Sequence, residues 1–336
     1  MELKTGRRMV AILRVLRDLG GPAGSDTIAR ELAYAGFDLS ERAIRNYLAQ
    51  ADALGWTVNL GRRGRRLTEQ GVQELERALV VDKVGFVSAR VDTLAYQMTF
   101  DTESLTGKLI LNVSTVSPRD LRAAVRCLTQ AYDANLGMGR YVAVGAAGEM
   151  IGDFRVPKGT FGIGTVCSVS INGVFLRANV PTVSRFGGLL QVERGHPKRF
   201  TQIINYDGSS LDPLEIFIRG HMTSVGQAAR KGSGMLGASF REVPAVALPE
   251  VHRLIKVCER IGLGGVLAVG APSQPLLDVP VAQGRAGIIV PGGLNAIAVV
   301  VEEGVAVTST AMCTLCPFER LVDYHELHDA VRARGG

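Results

Sequence analysis

Residues 40–54 read SERAIRNYLAQADAL and residues 56–68 read WTVNLGRRGRRLT. In the first stretch Ala43, Ile44, Tyr47, Leu48 and Ala51 recur at helical spacing, which predicts a helix from Glu41 to Leu54, capped by Ser40 and ended by Gly55. The face that these residues leave outside carries Arg42, Arg45, Asn46 and Gln50. In the second stretch Trp56 to Leu60 reads as a strand. Gly61-Arg62-Arg63-Gly64-Arg65-Arg66 is a glycine-hinged turn with four arginines, and Leu67-Thr68 returns. Working outward, Met9, Ile12, Leu13, Leu16 and Leu19 predict a first helix from Arg7 to Leu19, broken by Gly20-Gly21-Pro22. Ser25 caps a second, Asp26 to Ala35, with Ile28, Leu32 and Ala33 inward and Gly36 as its stop. A fourth runs from Glu69 to Leu79. Helix, helix, helix, strand, basic hairpin, helix is a winged helix-turn-helix, placed at residues 1–80.

In such domains the third helix enters the major groove of DNA. Arginine reads guanine edges with two bonds, and Asn or Gln does the same for adenine. A basic wing suits the phosphates and minor groove of the flanking duplex. The expected DNA-binding set is therefore Arg42, Arg45, Asn46 and Gln50 with Arg62, Arg63, Arg65 and Arg66. Some winged helices bind protein or RNA instead, but four wing arginines argue against a purely structural hairpin.

At 336 residues, 46% hydrophobic and 21% charged, the chain suggests two or three globular domains. Most of its net charge of +6 falls within residues 1–70, as expected of a module that holds a polyanion at one end. No apolar run reaches the roughly 18 residues of a membrane span, and the N-terminus lacks the apolar core of a signal peptide. Five cysteines suggest no disulfide framework. The expectation is a cytoplasmic protein with no membrane partner.

Beyond Asp82 the chain repeats itself. Leu136-Gly137-Met138-Gly139 to Ala146 matches Ile261-Gly262-Leu263-Gly264 to Ala271. Val156-Pro157 aligns with Val279-Pro280, Gly164 with Gly287, Asn172 with Asn295, and the helical Pro118 to Tyr132 with Pro249 to Arg260. This predicts an α+β effector domain over 85–327 built from two copies, about 85–208 and 209–327, each with one helix after an N1 proline followed by strands. A pseudo-twofold pair leaves a cleft between the copies, a usual ligand site.

Several motifs point elsewhere and fail. The glycines of Gly137-Met138-Gly139 and Gly262-Leu263-Gly264-Gly265 follow a helix and open a strand, the reverse of a dinucleotide loop. Arg230-Lys231-Gly232-Ser233-Gly234 lacks the leading glycine of a P-loop. Cys313-Thr314-Leu315-Cys316 with His325 and His328 has the composition of a zinc site, but its His spacing is too short and the first copy has no matching cysteines, so no metal is expected. Asp212-Pro213-Leu214-Glu215 reads as a loop and strand start. No cofactor loop and no catalytic constellation appear, so an enzyme is not expected.

The segments GTVCSVSING (164–173), FGG (186–188), SLDPLEIF (210–217), ASFREVP (238–244) and PGGLN (291–295) resemble the NrpR family of nitrogen regulators over nearly the whole chain. The resemblance implies a homodimeric repressor of nitrogen-assimilation genes on a palindromic double-stranded operator, with 2-oxoglutarate as an effector rather than a cofactor. Arginine suits a dianion because its planar fork meets a carboxylate with two parallel bonds. The residues nearest those segments are Arg241 and Arg285, with Thr165, Ser168 and Asn295 as polar partners and Gly292-Gly293 admitting backbone N–H groups. Some family members carry two effector domains and this chain has room for one, which leaves open whether a second regulator subunit completes the repressor. The winged helix also resembles the one that precedes ribonuclease R catalytic domains, but no Asp-rich nuclease centre follows. The rival readings are a regulator of this build sensing another metabolite, and an enzyme fused to a nucleic-acid-binding winged helix.

Overall fold

The computed structural model describes residues 3–34, 37, 39–78 and 86–335. The chain divides into two compact units, Met1–Gly85 and Phe86–Gly336. Ala35 and Gly36 at the expected end of the second helix, Leu79 at the end of the fourth, and the domain limits at 80 and 85 lie outside the described residues.

The first unit runs α1 (Leu3–Asp18), α2 (Ser25–Tyr34), α3 (Glu41–Ala53), β1 (Thr57–Asn59), a 3-10 turn (Gly61–Arg63), β2 (Arg65–Leu67) and α4 (Glu69–Ala78). β1 and β2 pair antiparallel with Thr57 opposite Leu67, so the unit is a winged helix. Met9, Ile12, Leu13, Leu16, Ile28, Leu32, Ile44, Leu48, Ala51 and Leu75 are buried, the larger ones each contributing about 1.5–3 kcal/mol of transfer free energy. Two expected core residues lie outside. Leu19 is 41% exposed, because α1 ends at Asp18, and Ala33 sits on the solvent side of α2. Gly64 has φ +87°, and a Cβ there would overlap the Ala23 carbonyl. That close approach lets Ala23 and Arg65 exchange two backbone hydrogen bonds of 2.9 Å, which pins the wing base to the entrance of α2.

The second unit runs α5 (Val87–Gln97), β3 (Lys108–Val116), α6 (Leu121–Asp133), β4 (Tyr141–Gly145), β5 (Met150–Ile151), β6 (Phe154–Arg155), β7 (Phe161–Val166), α7 (Ser170–Arg177), β8 (Val183–Glu193) and β9 (His196–Asn205). It continues with α8 (Pro213–Arg219), α9 (Val225–Lys231), β10 (Gly234–Pro244), α10 (Leu248–Arg260), β11 (Ala268–Val269), β12 (Arg285–Pro291), α11 (Asn295–Glu302), β13 (Val307–Pro317), β14 (Val322–Asp323) and α12 (Leu327–Arg332). Two five-stranded sheets have the orders β11-β12-β10-β8-β9 and β13-β3-β7-β4-β14. Every strand pair among the described residues is antiparallel, and the fold is α+β.

The order β3-α6-β4-β7-α7-β8 recurs as β10-α10-β11-β12-α11-β13. The last strand of each series is exchanged: β8 pairs with β10, and β13 pairs with β3. Helices cross over in the same way. The apolar side chains of α6 pack with those of α11, and those of α10 with those of α7. Where the two series meet, the glycine turns press together. Gly139 (φ +68°) abuts the Leu263 carbonyl, Gly264 (φ +106°) abuts the Gly139 nitrogen, and Arg140 N donates to Gly262 O at 3.0 Å. These glycines serve backbone contact between the series.

Several expectations change. α7 and α11 stand where only strands were expected. They are buried nearly all round, so their sequences lack the polar face that marks a helix. Asn172 and Asn295 are not equivalent. Asn295 is the first residue of α11 and clasps Gly237, whereas its counterpart at the start of α7 is Ser170, whose Oγ donates to Ile110 O at 3.2 Å. Asp212-Pro213 begins a helix rather than a strand. Asp212 Oδ1 accepts from the Leu214 and Glu215 nitrogens at 2.9 and 3.3 Å, and Pro213 fills the first turn. No helix among the described residues is long and apolar enough to cross a membrane.

Candidate nucleic-acid interface and anion site

In the first unit Ser40 Oγ accepts from Ala43 N at 3.3 Å and sets the start of α3. Burial of Ile44, Leu48 and Ala51 then leaves Arg42, Arg45, Asn46 and Gln50 together on the exposed face. Arg45 is partly occupied: its Nη2 lies 3.2 Å from Glu41 Oε2, one turn back, an exposed pair worth only about 0.3–0.5 kcal/mol. DNA phosphate or a base edge competes easily with such a pair.

Arg62, Arg63 and Arg66 of the wing are exposed. Arg65 departs from its expected role. Its side chain is 19% exposed and its Nε donates to Asp52 Oδ2 at 2.7 Å, while Thr57 Oγ1 donates to Asp52 Oδ1 at 2.6 Å. The reason is strand alternation. Arg65 and Leu67 share the face of β2 turned toward the helices, and Arg66 takes the other. Arg65 therefore ties the wing to the end of α3.

In the second unit Arg241 on β10 is 1% exposed. Its Nη1 donates to Ser168 O at 2.8 Å and to Asn172 Oδ1 at 2.5 Å, and its Nη2 to Ser168 Oγ and Ser239 Oγ at 2.9 and 3.0 Å. Its Nε is buried with no partner. No carboxylate among the described residues pairs with it, although burial works against its charge. A buried guanidinium surrounded by neutral groups, with one donor unused, is chemically suited to meet an anion.

The Arg241 partner Ser168 also borders a small, partly open space of about 20 Å³, which Arg241 itself does not line; the other lining residues are Asn112, Cys167, Tyr206, Asp212 and Gly293, with Val91, Val169, Leu214, Leu294, Ala311 and Met312. Both series of elements thus contribute to its wall. Met312 belongs to a bulge in β13 and holds φ +49° while 2% exposed. Four bonds fix this bulge. Asn112 Oδ1 accepts from Met312 N at 3.0 Å, Glu215 Oε1 from Ala311 N at 2.5 Å, and Arg90 Nη2 donates to the carbonyls of Ala311 and Met312 at 2.9 and 3.1 Å. The left-handed backbone of a buried non-glycine residue costs about 1–3 kcal/mol, which those bonds offset.

Burial, then the neighbouring Glu215, raises the Asp212 carboxyl to about 6, against the pull of the Leu214 and Glu215 N–H groups and of Arg90. Part of its surface still reaches solvent, but protein surrounds the carboxyl closely enough that desolvation dominates. Burial also pushes the Cys167 thiol up to about 11 and raises the Tyr206 phenol.

The other expected effector residues divide. Thr165 Oγ1 donates to Gly293 O at 2.9 Å and receives Asn112 Nδ2 at 3.4 Å, so it supports the wall. Gly293 leaves no room for a Cβ against the Val166 carbonyl. The Gly292 N–H is taken by Gly237 O at 2.8 Å and is not free for a ligand. Asn295 is committed to Gly237 and to Leu136 O. Arg285 does not join Arg241. Its Nη2 donates to Glu242 O at 3.1 Å, and its Nε lies 3.3 Å from Glu242 Oε2, close enough for an ion pair but misaligned for a hydrogen bond. Glu242 also holds Arg185. Glu242 follows Arg241 on the strand and its side chain alternates to the opposite face. The sequence reading missed Asn112, Tyr206 and Asp212 as wall residues and Ser239 as a partner of Arg241. Asn172 carried only a repeat signal, and Asp212 was legible as a cap before Pro213.

Cys316 is buried on β13 and Cys313 half-buried, whereas His325 pairs with Asp323 at 2.6 Å on the surface. No group of three or more His, Cys, Asp or Glu side chains suited to a metal converges among the described residues.

A family model described as NrpR regulatory domains NRD1 and 2 matches residues 84–323, and one described as the ribonuclease R winged-helix domain matches residues 10–75. The chain is 33% identical over 321 residues to the global nitrogen regulator NrpRI of Methanosarcina mazei, covering 96% of this chain and 99% of that one. Identity is 28% to the global nitrogen regulator NrpR of Methanococcus maripaludis, over 88% of this chain and 51% of that one. It is 26% to the NrpR of Methanocaldococcus jannaschii, over 96% and 55%. The chain thus spans about half the length of the last two. A crystal structure of a nitrogen repressor-like protein from Methanococcus jannaschii matches 71% of this chain and 99% of its own, with a TM-score of 0.60 at 27% identity.

Proposed function

This chain belongs to the NrpR family, and from that premise we propose that it is a DNA-binding repressor of nitrogen-assimilation genes, released from its operator by 2-oxoglutarate. The observation that carries the effector half is Arg241, a buried cation without a carboxylate partner, which sits behind Ser168 of a cavity walled by both series of elements. A carboxylate of the effector would take the Nε of Arg241 and turn the Ser168 and Ser239 hydroxyls toward itself. Arg285, held by Glu242, falls outside this set. The present 20 Å³ accommodates a water-sized group but not a five-carbon dianion. Binding therefore requires the wall to move, and that requirement couples ligand to conformation.

On the DNA side, Arg42, Arg45, Asn46 and Gln50 read the major groove, and Arg62, Arg63 and Arg66 hold the flanking backbone, with Arg65 as support. The protein acts as a homodimer on a palindromic operator, since half-site spacing then fixes how two winged helices are held. The shared coverage with NrpRI, against half of the longer relatives, leaves a place for a second regulator subunit. The effector is a ligand and not a cofactor, and no residue is assigned a catalytic role.

The test is a linkage measurement. Effector and operator are expected to weaken one another by equal factors, worth about 1–3 kcal/mol. Operator titrations with and without saturating 2-oxoglutarate read one side, and calorimetry of free and DNA-bound protein reads the other. Operator affinity unchanged at saturating effector rejects the induction mechanism. Effector affinity unchanged in Arg241→Ala rejects the site.

A further inference from the structure

We propose that a groove floored by α6 is a binding site for an anion that carries two adjacent phosphoryl groups, as inorganic pyrophosphate or an organic diphosphate does. The groove has a volume of about 740 Å³, within the range of small-molecule sites. Its charged lining is Arg122, Arg126 and Asp133 of α6 and Arg230 of α9, with His328 of α12 beside them. It shares no lining residue with the space beside Ser168 and is independent of the effector reading.

The charges of α6 run against rules that its counterpart obeys. α6 and α10 hold the same place in the two series of elements, and each has 13 residues. They bury the same positions: Ala124, Cys127, Leu128 and Ala131 in one, Val251, Leu254, Ile255 and Cys258 in the other. In α10 the acid Glu250 sits in the first turn and Arg260 in the last, as the helix dipole favours. Glu250 holds Arg253 through two bonds of 2.8 and 2.6 Å. α6 inverts each feature. Arg122 occupies its first turn and Asp133 its last. Arg126 stands where Arg253 does, but Ala123 replaces Glu250, and the residue one turn back is another arginine. Both arginines are exposed, and among the described residues no carboxylate pairs with either. Like charges one turn apart, one of them opposed to the dipole, destabilise a helix. An anion bound between them removes both penalties.

The third guanidinium is loosely held. Arg230 Nη1 lies 3.3 Å from Glu303 Oε1 in an exposed pair that a doubly charged ligand displaces easily. Asp133 Oδ1 is occupied by the Tyr324 hydroxyl at 3.0 Å. The lining thus offers three guanidiniums against one carboxylate. They enter from two helices and so approach an anion from different directions. A planar carboxylate meets one fork in its own plane, whereas a tetrahedral phosphoryl group accepts from several sides. Arg122 and Arg126, roughly 5–6 Å apart at Cβ, match two linked phosphoryl groups better than one. Three helices bound the groove, which suits a small anion rather than the length of a duplex.

The experiment is calorimetry of the full chain with inorganic pyrophosphate and with inorganic phosphate in metal-free buffer. Wild type is compared with Arg122→Ala, Arg126→Ala, Ala123→Glu and, as a control for the wing, Arg63→Ala. Ala123→Glu gives Arg126 the internal partner that Arg253 has. Wild type and Arg63→Ala are expected to bind pyrophosphate alike, about tenfold or more tighter than phosphate. Each α6 variant is expected to lose about tenfold or more, as for one charged hydrogen bond, with no fall in its ligand-free melting midpoint. Pyrophosphate affinity that is unchanged in the α6 variants, equally reduced in Arg63→Ala, or no greater than that for phosphate overturns the site. An operator salt slope flattened by about 0.9 in each arginine variant of α6 also overturns it, because the arginines then hold duplex phosphates. 2-Oxoglutarate affinity is expected to stay unchanged in the α6 variants. Its loss there, with retention in Arg241→Ala, would make this groove the effector site and overturn both readings.

Discussion

Replacing the wing arginines one at a time is expected to split them into two kinds. Arg62, Arg63 and Arg66 are exposed, and the Arg65 side chain is 19% exposed and bonded to Asp52 at 2.7 Å. If each exposed arginine neutralises one phosphate, its loss flattens the slope of log affinity against log salt by about 0.9. Between about 50 and about 200 mM salt that is roughly 3.5-fold per arginine, and roughly 40-fold for Arg62, Arg63 and Arg66 together. Arg65→Ala should leave the slope nearly intact. It strips a charge-assisted bond from Asp52, which keeps only the Thr57 hydroxyl. With both partners about three-quarters or more buried, the cost is about 1–3 kcal/mol of domain stability. For a domain of this size each kcal/mol lowers the melting midpoint by about 4–8 °C. Fluorescence anisotropy on an operator duplex across a salt series reads the slope, and a thermal melt reads the stability. A slope loss in Arg65→Ala equal to that in Arg63→Ala, with an unchanged melt, would refute the division.

Three further outcomes follow from the second unit. Gly264→Ala would place a Cβ on the Gly139 backbone at φ +106°, so denaturant titration should show a loss of more than about 2 kcal/mol; a neutral result would mean that the glycine turns do not touch. The folded state binds the Asp212 proton more tightly than the unfolded state, so the stability it contributes is full below about pH 4 and is lost as pH rises through about 6. Subtracting the stability profile of Asp212→Asn from that of wild type should isolate this falling limb, and superposable profiles would remove it. Cys167, buried with its thiol at about 11, should resist alkylation near pH 8 until the protein unfolds, and fast labelling of the native protein would show the cavity wall to be open.

The winged helix was legible because its helices are amphipathic, so the 3.6-residue period survives in the residue types. The inward turn of Arg65 was legible in principle from its alternation with Leu67, but four arginines in one hairpin look alike to a charge count. In the second unit α7 and α11 hid because helices apolar on nearly every side carry no period, and Val299-Val300-Val301 favours a strand by propensity. The repeat was visible in the glycines, yet the exchange of β8 and β13 was not, since pairing between distant strands leaves no local trace. Arg241 stood out only through resemblance. Its partner Ser168 lies 73 positions away and meets it through the fold.

The exchange bears on how the cavity opens. β13 follows the second series of elements but pairs with β3 of the first, and its Met312 bulge forms part of the wall. α8 forms another part through Asp212 and Leu214, and holds the same bulge through Glu215. A ligand too large for the present space therefore has to displace the bulge, α8 or both, against the bonds from Asn112, Arg90 and Glu215. Releasing the left-handed Met312 returns about 1–3 kcal/mol of stored strain toward that cost. A wall built this way is suited to serve as the element whose population a ligand shifts. Removing Glu215's bond to Ala311 N through Glu215→Ala should therefore raise effector affinity. Calorimetry showing unchanged or lowered affinity in a folded Glu215→Ala would exclude the bulge as the moving part.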